Sequence, residues 1–521
     1  MDMSIAASAG QTSASPSSDA ARERSPNSSD LDAWLEKVEA LGELKRITAE
    51  VDPDLEAATI TYLVGQEKSP ALLFENIKGY RDGRCTKLFV SGLGARSRLA
   101  LALGFPPDAS NRDLVQHVMK KNRETIAPIT VGTGPVKEVV VKGDAIDQTE
   151  FPVPKWHFLE GGRYIHTFSS IVTRDPETRA LNVGMYRGMI SRKDTSPFLL
   201  IKGGQHWGHH FQKYSDRGQP MPVACVIGWD PIMPFLAGSP IPTGVCEWDV
   251  MGAYRGEPAE LVKCETVDLE VPASAEIVIE GLIHDDPATW ELEGPFGEYT
   301  GHLSDVPTRR PTMKVTCITH RRAPIFRGCL EGTLPGSYSE NSVMSGVQRA
   351  GIAWNILKTA GIPGITDVHV HPITNGVNVV VQIRKAYQGQ PKQIAAALWG
   401  NSAAQYRYKH VFVVDDDIDV ASYEQIDWAL AHRMNAGENG LVIFPGIFGS
   451  PIDPSTPMED RDVSRLGTGL WNRVLFDATR SWKFPRRPEW GNERFPPTVR
   501  PAAEDEVRVR QRWTELGLGD L

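Results

Sequence analysis

The chain has 521 residues, of which 41% are hydrophobic and 23% charged, so it is long enough for two to four domains and has an ordinary globular balance. Lys and Arg total 56 against 65 Asp and Glu, a formal net charge of −9, which argues against general nucleic-acid binding but leaves room for a local basic pocket around a phosphate. No uninterrupted apolar run approaches the ~18 residues of a membrane span, and the six cysteines (Cys85, Cys225, Cys246, Cys264, Cys317 and Cys329) form no CxxC pair, which predicts reduced, mostly buried thiols in a cytoplasmic protein with no membrane partner.

Residues 1–28 are rich in Ser and Ala with few large apolar residues, and they read as a disordered tail. Asp30 is placed to cap a helix in which Leu31, Trp34, Leu35, Val38 and Leu41 recur at helical spacing. A second helical pattern follows Pro53. Leu72–Phe74 and Leu88–Val90 read as buried strands, and Ser97–Leu103 and Asp113–Met119 as helices, so residues 29–126 suggest a small α/β domain. From Val136 strand-like runs come densely: Val139–Val141, His166–Val172, Leu181–Ile190, Val223–Gly228, Ala275–Ile283 and Thr312–Thr319. Pro, Gly and Asp turns separate them, which favours a mostly antiparallel sheet or barrel over 127–323.

A third, α/β region runs over 324–454. Ser339 is placed to cap a long helix ending at Gly361. Asn375-Gly376 lies between two strand runs, a hairpin signal. Gln393–Leu398 and Tyr423–His432 read as helices, and Val411–Val414 as a buried strand. Residues 455–521 form an extension richer in charge and Pro, with an amphipathic helix over Val507–Leu516. The class is therefore a multidomain α+β and α/β chain.

The stretch from Glu293 to Gly301, EGPFGEYTG, holds two carboxylates five residues apart among Gly294, Pro295, Gly297 and Gly301. Such a density of breakers predicts a shaped loop rather than a helix or plain strand. Buried together, the two glutamates could not both ionise cheaply, and one would keep a proton near neutral pH. Spacing alone is equally consistent with a surface turn carrying two solvated carboxylates. No P-loop or GxGxxG motif is present, and Asp415–Asp419 lacks the glycine and terminal glutamate of a calcium loop.

This stretch resembles the E-x-P-F-G-E-x-x-G segment of the UbiD family of reversible decarboxylases, which use prenylated flavin mononucleotide. Gly162–Thr167 and Asn182–Arg187 are similar to that family's cofactor strands. Gly204-Gln205-His206, Glu247 and Lys409–Asp419 follow in matching order, so that the likeness runs from about Leu31 to Trp482. The resemblance implies a split β-barrel as the flavin domain over 127–323 and a C-terminal α/β oligomerisation domain. It also implies a terminal helix packed on a neighbouring subunit, in a homodimer or homohexamer.

The resemblance further implies a cofactor site of Thr167, Asn182, Gly184, Met185, Arg187, Gln205, His206, Glu247 and Lys409. Within it, Asn182, His206 and Glu247 would hold a divalent ion. An amide oxygen, an imidazole and a carboxylate suit Mn²⁺ or Mg²⁺, with K⁺ as an optional companion, and a cofactor phosphate oxygen would complete the shell. His209 and His210 compete for the imidazole role. The offset of five between Asn182 and Arg187 would point them to opposite faces of a regular strand. The resemblance places Arg187 beside Glu293, so that one clean ion pair would keep Glu293 ionised and leave Glu298 as the proton donor.

Loss of CO₂ from an sp² carbon needs an electron sink that no side chain supplies. The implied reaction is decarboxylation of an aromatic or heteroaromatic acid through a covalent adduct with prenylated FMN, made by a prenyltransferase partner. Indole- or phenazine-type acids rank slightly ahead of phenolic ones, with residues 330–335 and 444–448 expected along the pocket. The competing classes are a flavin-dependent oxidoreductase, which would need neither the second glutamate nor the metal ligands, and a non-catalytic assembly paralogue.

Overall fold

Asp30 does cap the first helix, Leu31–Ala40, accepting a hydrogen bond from the Ala33 amide at 2.9 Å. The computed structural model describes residues 30–519 apart from 203–204, 242–244, 305, 333, 439 and 462–467, so the expected N-terminal tail and motif residue Gly204 lie outside the described residues. The first region builds a four-stranded mixed sheet from Leu44–Ile47, Ala71–Phe74, Lys87–Val90 and Ile325–Arg327, in that spatial order. The fourth strand comes from the far side of the division placed at 323, pairing parallel with Lys87–Phe89. A strand of only three residues carries too little pattern to reveal a partner more than 200 residues away.

The central region forms a seven-stranded antiparallel sheet. Its path runs Val139–Lys142, Thr312–His320, Ile277–Ile283, Met221–Ile227, Ser170–Arg174 and Leu181–Gly184, with Thr195–Pro197 pairing onto Thr312–Lys314. The path is open, and no closed barrel forms among the described residues, which corrects the barrel expectation. Two strands are shorter than their apolar runs. His166–Ser169 bends before its strand begins, and Leu181–Ile190 keeps strand pairing only to Gly184.

In the third region the helix Glu340–Thr359 starts at the Ser339 cap, whose hydroxyl accepts from the Ser342 amide at 3.2 Å. Gly351 lets this helix close on Asn111–Lys121, since a Cβ there would come within 3.1 Å of the Val118 side chain. The accompanying five-stranded sheet has the order Ile365–His369, Asn378–Ile383, His410–Asp415, Leu470–Ala478 and Leu441–Phe448. The first two strands are antiparallel across the Asn375-Gly376 turn, where both residues take positive φ. Leu470–Ala478 lies inside this sheet although it falls in the segment assigned to the extension, so the division at 454 runs through one sheet. The last helix spans Ala503–Gln511 and buries no residue within this chain. All six cysteines are free, with Cys85, Cys225, Cys317 and Cys329 buried. Among the described residues no helix is long and apolar enough to cross a membrane.

Candidate active site

The Glu293–Gly301 stretch folds as a broken hairpin rather than a loop without strands. Glu291–Glu293 pairs with Thr308–Arg310, and Phe296–Gly297 with Leu303–Ser304. Gly294, at φ +94°, and the cis Gly294–Pro295 bond interrupt the strand between the two pairings. The backbone must approach closely here, because a Cβ on Gly161 would lie 2.0 Å from the Gly294 carbonyl oxygen. At the tip, the Glu298 amide donates to the His302 carbonyl at 3.0 Å. The Tyr299 carbonyl accepts from Asn375 at 3.1 Å and its hydroxyl from Arg407 at 3.0 Å, tying the tip to the C-terminal sheet.

Regular pairing ends at Gly184, so strand alternation does not govern Arg187 and the odd offset from Asn182 is no obstacle. Arg187 Nε reaches Glu293 Oε1 at 2.9 Å and Nη2 reaches Oε2 at 3.1 Å, a bidentate pair. Its Nη1 donates to both Glu298 Oε1 and the Ser304 hydroxyl. One guanidinium thus serves both carboxylates, which corrects the expectation of a single clean ion pair. Tyr164 adds a hydrogen bond to Glu293 Oε1 at 2.7 Å. Arg187, Glu293 and Glu298 are only 8%, 1% and 6% exposed.

One buried cation facing two buried carboxylates leaves a surplus negative charge if both ionise. Burial, the dominant influence, pushes the Glu298 carboxyl above the ordinary glutamate range, against the pull of Arg187. Glu293 holds the fork and the tyrosine, whereas Glu298 borders a cleft of about 170 Å³ with His157, Leu330 and Glu331. Glu160 fixes the wall of this cleft by accepting from the Gly297, Trp156 and His157 amides at 3.0–3.2 Å. The His157 ring sits where a side chain on Gly297 would otherwise lie, 2.1 Å from its Cβ position.

Asn182, on Leu181–Gly184, and Glu247, at the start of the helix Glu247–Arg255, are neighbours, since Glu247 Oε2 accepts from the Val183 amide at 2.7 Å. His206 opens the helix His206–Ser215, and the next residue, Trp207, stacks on Tyr186 with ring centroids 4.1 Å apart, while the Tyr186 hydroxyl accepts from Asn182 Nδ2 at 3.4 Å. Gly184 makes room for the Tyr186 ring, which would lie within 2.5 Å of a Cβ there. Burial pushes the Glu247 carboxyl up to about 8, against the Val183 amide hydrogen bond that lowers it. His210 is committed elsewhere, with Nδ1 2.9 Å from the Thr173 hydroxyl and Nε2 4.0 Å from Asp175.

Three family models match in chain order: the 3-octaprenyl-4-hydroxybenzoate carboxy-lyase N-terminal domain over residues 35–118, its Rift-related domain over 129–334 and its C-terminal domain over 342–478. The chain belongs to the UbiD family. Members of this family are carboxy-lyases, and this UbiD protein is one. It is 31% identical over 516 residues to an uncharacterised Synechocystis protein, covering 94% of this chain and 97% of that one. The UbiD-class enzyme HmfF from Pelotomaculum thermopropionicum, solved with FMN, is similar with a TM-score of 0.77 and 30% identity over 92% of this chain and 98% of that one. Vanillic acid decarboxylase from Sedimentibacter hydroxybenzoicus is similar with a TM-score of 0.81 and 29% identity, over 94% and 98%.

Not every expected UbiD site residue converges. Lys409 pairs with Asp453 at 2.7 Å and Ser455 at 2.6 Å, so its charge is already met in this structure. Gln205 Oε1 accepts from Trp207 Nε1 at 2.7 Å, and the Thr167 hydroxyl accepts from the Cys329 amide at 3.1 Å, so both brace the local chain. Met185 is half-buried against the core. Residues 444–448 lie on the edge strand Leu441–Phe448 and do not line the cleft, while Leu330, Glu331, Gly332 and Leu334 do. Sequence reasoning gave no role to Ser304 and Glu160. Their roles depend on hairpin register and loop contact, which leave no mark in local spacing.

Proposed function

We propose that the protein removes CO₂ from an aromatic or heteroaromatic carboxylic acid, reversibly and without net oxidation, using prenylated FMN supplied by a prenyltransferase. Two solved HmfF structures hold FMN and prenylated FMN respectively, and the related decarboxylases act on vanillic and 3,4-dihydroxybenzoic acids. The observation that carries the reading is the buried Arg187 fork holding Glu293 while Glu298 faces the cleft. A flavin oxidoreductase has no use for that second, proton-retaining carboxyl.

When bound, the prenylated flavin supplies the electron sink for C–C cleavage. The chain's own residues then have separate tasks. Arg187 orients both glutamates. Glu293 holds the guanidinium in place through the bidentate fork. Glu298 delivers its proton to the carbon that lost CO₂ and recovers it from the cleft side. Asn182, His206 and Glu247 would hold Mn²⁺ or Mg²⁺ against the cofactor phosphate, with K⁺ nearby. The donor set, an amide oxygen, an imidazole and a carboxylate, fits a hard cation. Fused heteroaromatic acids of indole or phenazine type rank first, then phenolic acids. A dimer, or a hexamer built of dimers, fits the exposed edge strand Leu441–Phe448, with Ile443 and Phe444 open, and the uncovered terminal helix.

Protein co-produced with a flavin prenyltransferase should release CO₂ from at least one member of an aromatic acid panel, and protein made without it should not. Turnover that ignores prenylation would overturn the proposal. His206→Ala should lose bound metal and flavin together, whereas His209→Ala should keep both. Full metal and flavin content in the His206 variant would remove His206 from the ligand set.

A further inference from the structure

Glu331 is a second carboxyl in the cleft of Glu298, and nothing in the mechanism above uses it. It is only 6% exposed and takes part in none of the ion pairs among the described residues. Its Oε2 accepts a hydrogen bond from Asn341 Nδ2 at 3.2 Å, and its backbone carbonyl lies 3.2 Å from His157 Nε2. The other groups facing it are Glu298, held by Arg187, the Cys329 thiol, and Glu340, whose charge Arg327 meets at 2.9 Å. Burial, with the glutamates adding to it and the Asn341 and Cys329 hydrogen bonds opposing it, pushes the Glu331 carboxyl up to about 8, which favours its protonated form at pH 7.

A neutral carboxyl has one donor and one acceptor side. Asn341 donates to Oε2 and the Cys329 thiol also hydrogen-bonds the carboxyl, so neither partner needs the carboxyl's own proton. The mouth of the cleft is apolar, with Phe158 72% exposed and Leu303 and Tyr338 also open, so a flat ring can enter beside the Glu331 carboxyl that lines it. We infer that Glu331 selects the substrate by donating a hydrogen bond to an acceptor atom on its ring, a pyridine-type nitrogen or a phenolic or ether oxygen. This rests on the cleft being the decarboxylation site, and it narrows that ranking, setting acceptor-bearing rings such as phenazine above N–H-only rings such as indole. A polar site of this kind discriminates because the ring lacking the acceptor leaves a buried donor unpaired.

The test compares 2-naphthoate with quinolinecarboxylates carrying the ring nitrogen at each open position, which match it in shape. Affinity for the co-produced enzyme is read by ligand-detected NMR, and CO₂ is measured in the same samples. The best quinoline acid should bind at least ~10-fold tighter than 2-naphthoate, the scale of one well-placed hydrogen bond. Glu331→Leu should abolish that preference, and Glu331→Gln, whose amide still donates, should keep it. The parent's preference should fade as pH rises through about 8, while that of Glu331→Gln persists. This arm needs only parent and Gln variant, so it decides the question even if the Leu variant fails to fold. No preference in the parent, a preference retained by Glu331→Leu, or identical pH profiles for parent and Glu331→Gln would overturn the inference. CO₂ release without preference would leave the proposed function intact and defeat Glu331. Preference without CO₂ release would do the reverse.

Discussion

Glu298→Gln should bind flavin and metal as the parent does and lose at least ~10²-fold in turnover, the lower scale for removing general acid–base help. The substitution keeps size and polarity. The Gln carbonyl oxygen can still accept from Arg187 Nη1, so the hairpin tip should hold its shape. What disappears is the carboxyl proton that burial retains above the ordinary glutamate range. The sign of the pH effect follows. A raised carboxyl is protonated below its own titration point, so parent turnover should decline on the alkaline side as Glu298 ionises. The Gln variant should show no such limb in its residual rate. Parent-like turnover in Glu298→Gln would place the proton donor elsewhere.

Arg187→Ala should be the most damaging change to the site's architecture. It strips the guanidinium partner from Glu293, which is 1% exposed, and from Glu298 beside it. Breaking a buried pair from one side costs on the order of 3–5 kcal/mol, because the remaining carboxylate is left uncompensated. The urea midpoint should fall accordingly, and turnover should fall by at least the ~10² expected for Glu298→Gln. Arg187→Lys should restore part of the stability but little activity, because a point charge cannot reproduce the fork to Glu293 and the separate bond to Glu298. An Arg187→Ala protein as stable and active as the parent would show that the three residues do not act as a unit.

Much of this arrangement is legible in the sequence because it is local. The helix caps at Asp30 and Ser339, the Asn375-Gly376 turn and the long helix Glu340–Thr359 follow from short-range chemistry. The ordered motifs likewise point to Arg187, Glu293 and Glu298. What sequence reasoning misses is pairing between distant segments. Ile325–Arg327 joins the N-terminal sheet, and Leu470–Ala478 enters the middle of the C-terminal one, across both expected domain divisions. The breakers in Glu293–Gly301 conceal a hairpin because Thr308–Arg310 and Leu303–Ser304 supply partners on either side of Pro295. Residues 444–448 look like pocket lining from their aromatic content but serve an edge strand. Glu331 stands out only once burial shows it to be a carboxyl with no ion-pair partner among the described residues.

In the proposed reaction a carboxyl group is replaced by a proton with no net oxidation. Running the co-produced parent enzyme in D₂O with an accepted aromatic acid tests it most directly. The account predicts one CO₂ per product and one deuterium, located by NMR at the carbon that carried the carboxylate. A hydroxylated or ring-reduced product, or one that carries no deuterium at that carbon, would contradict it.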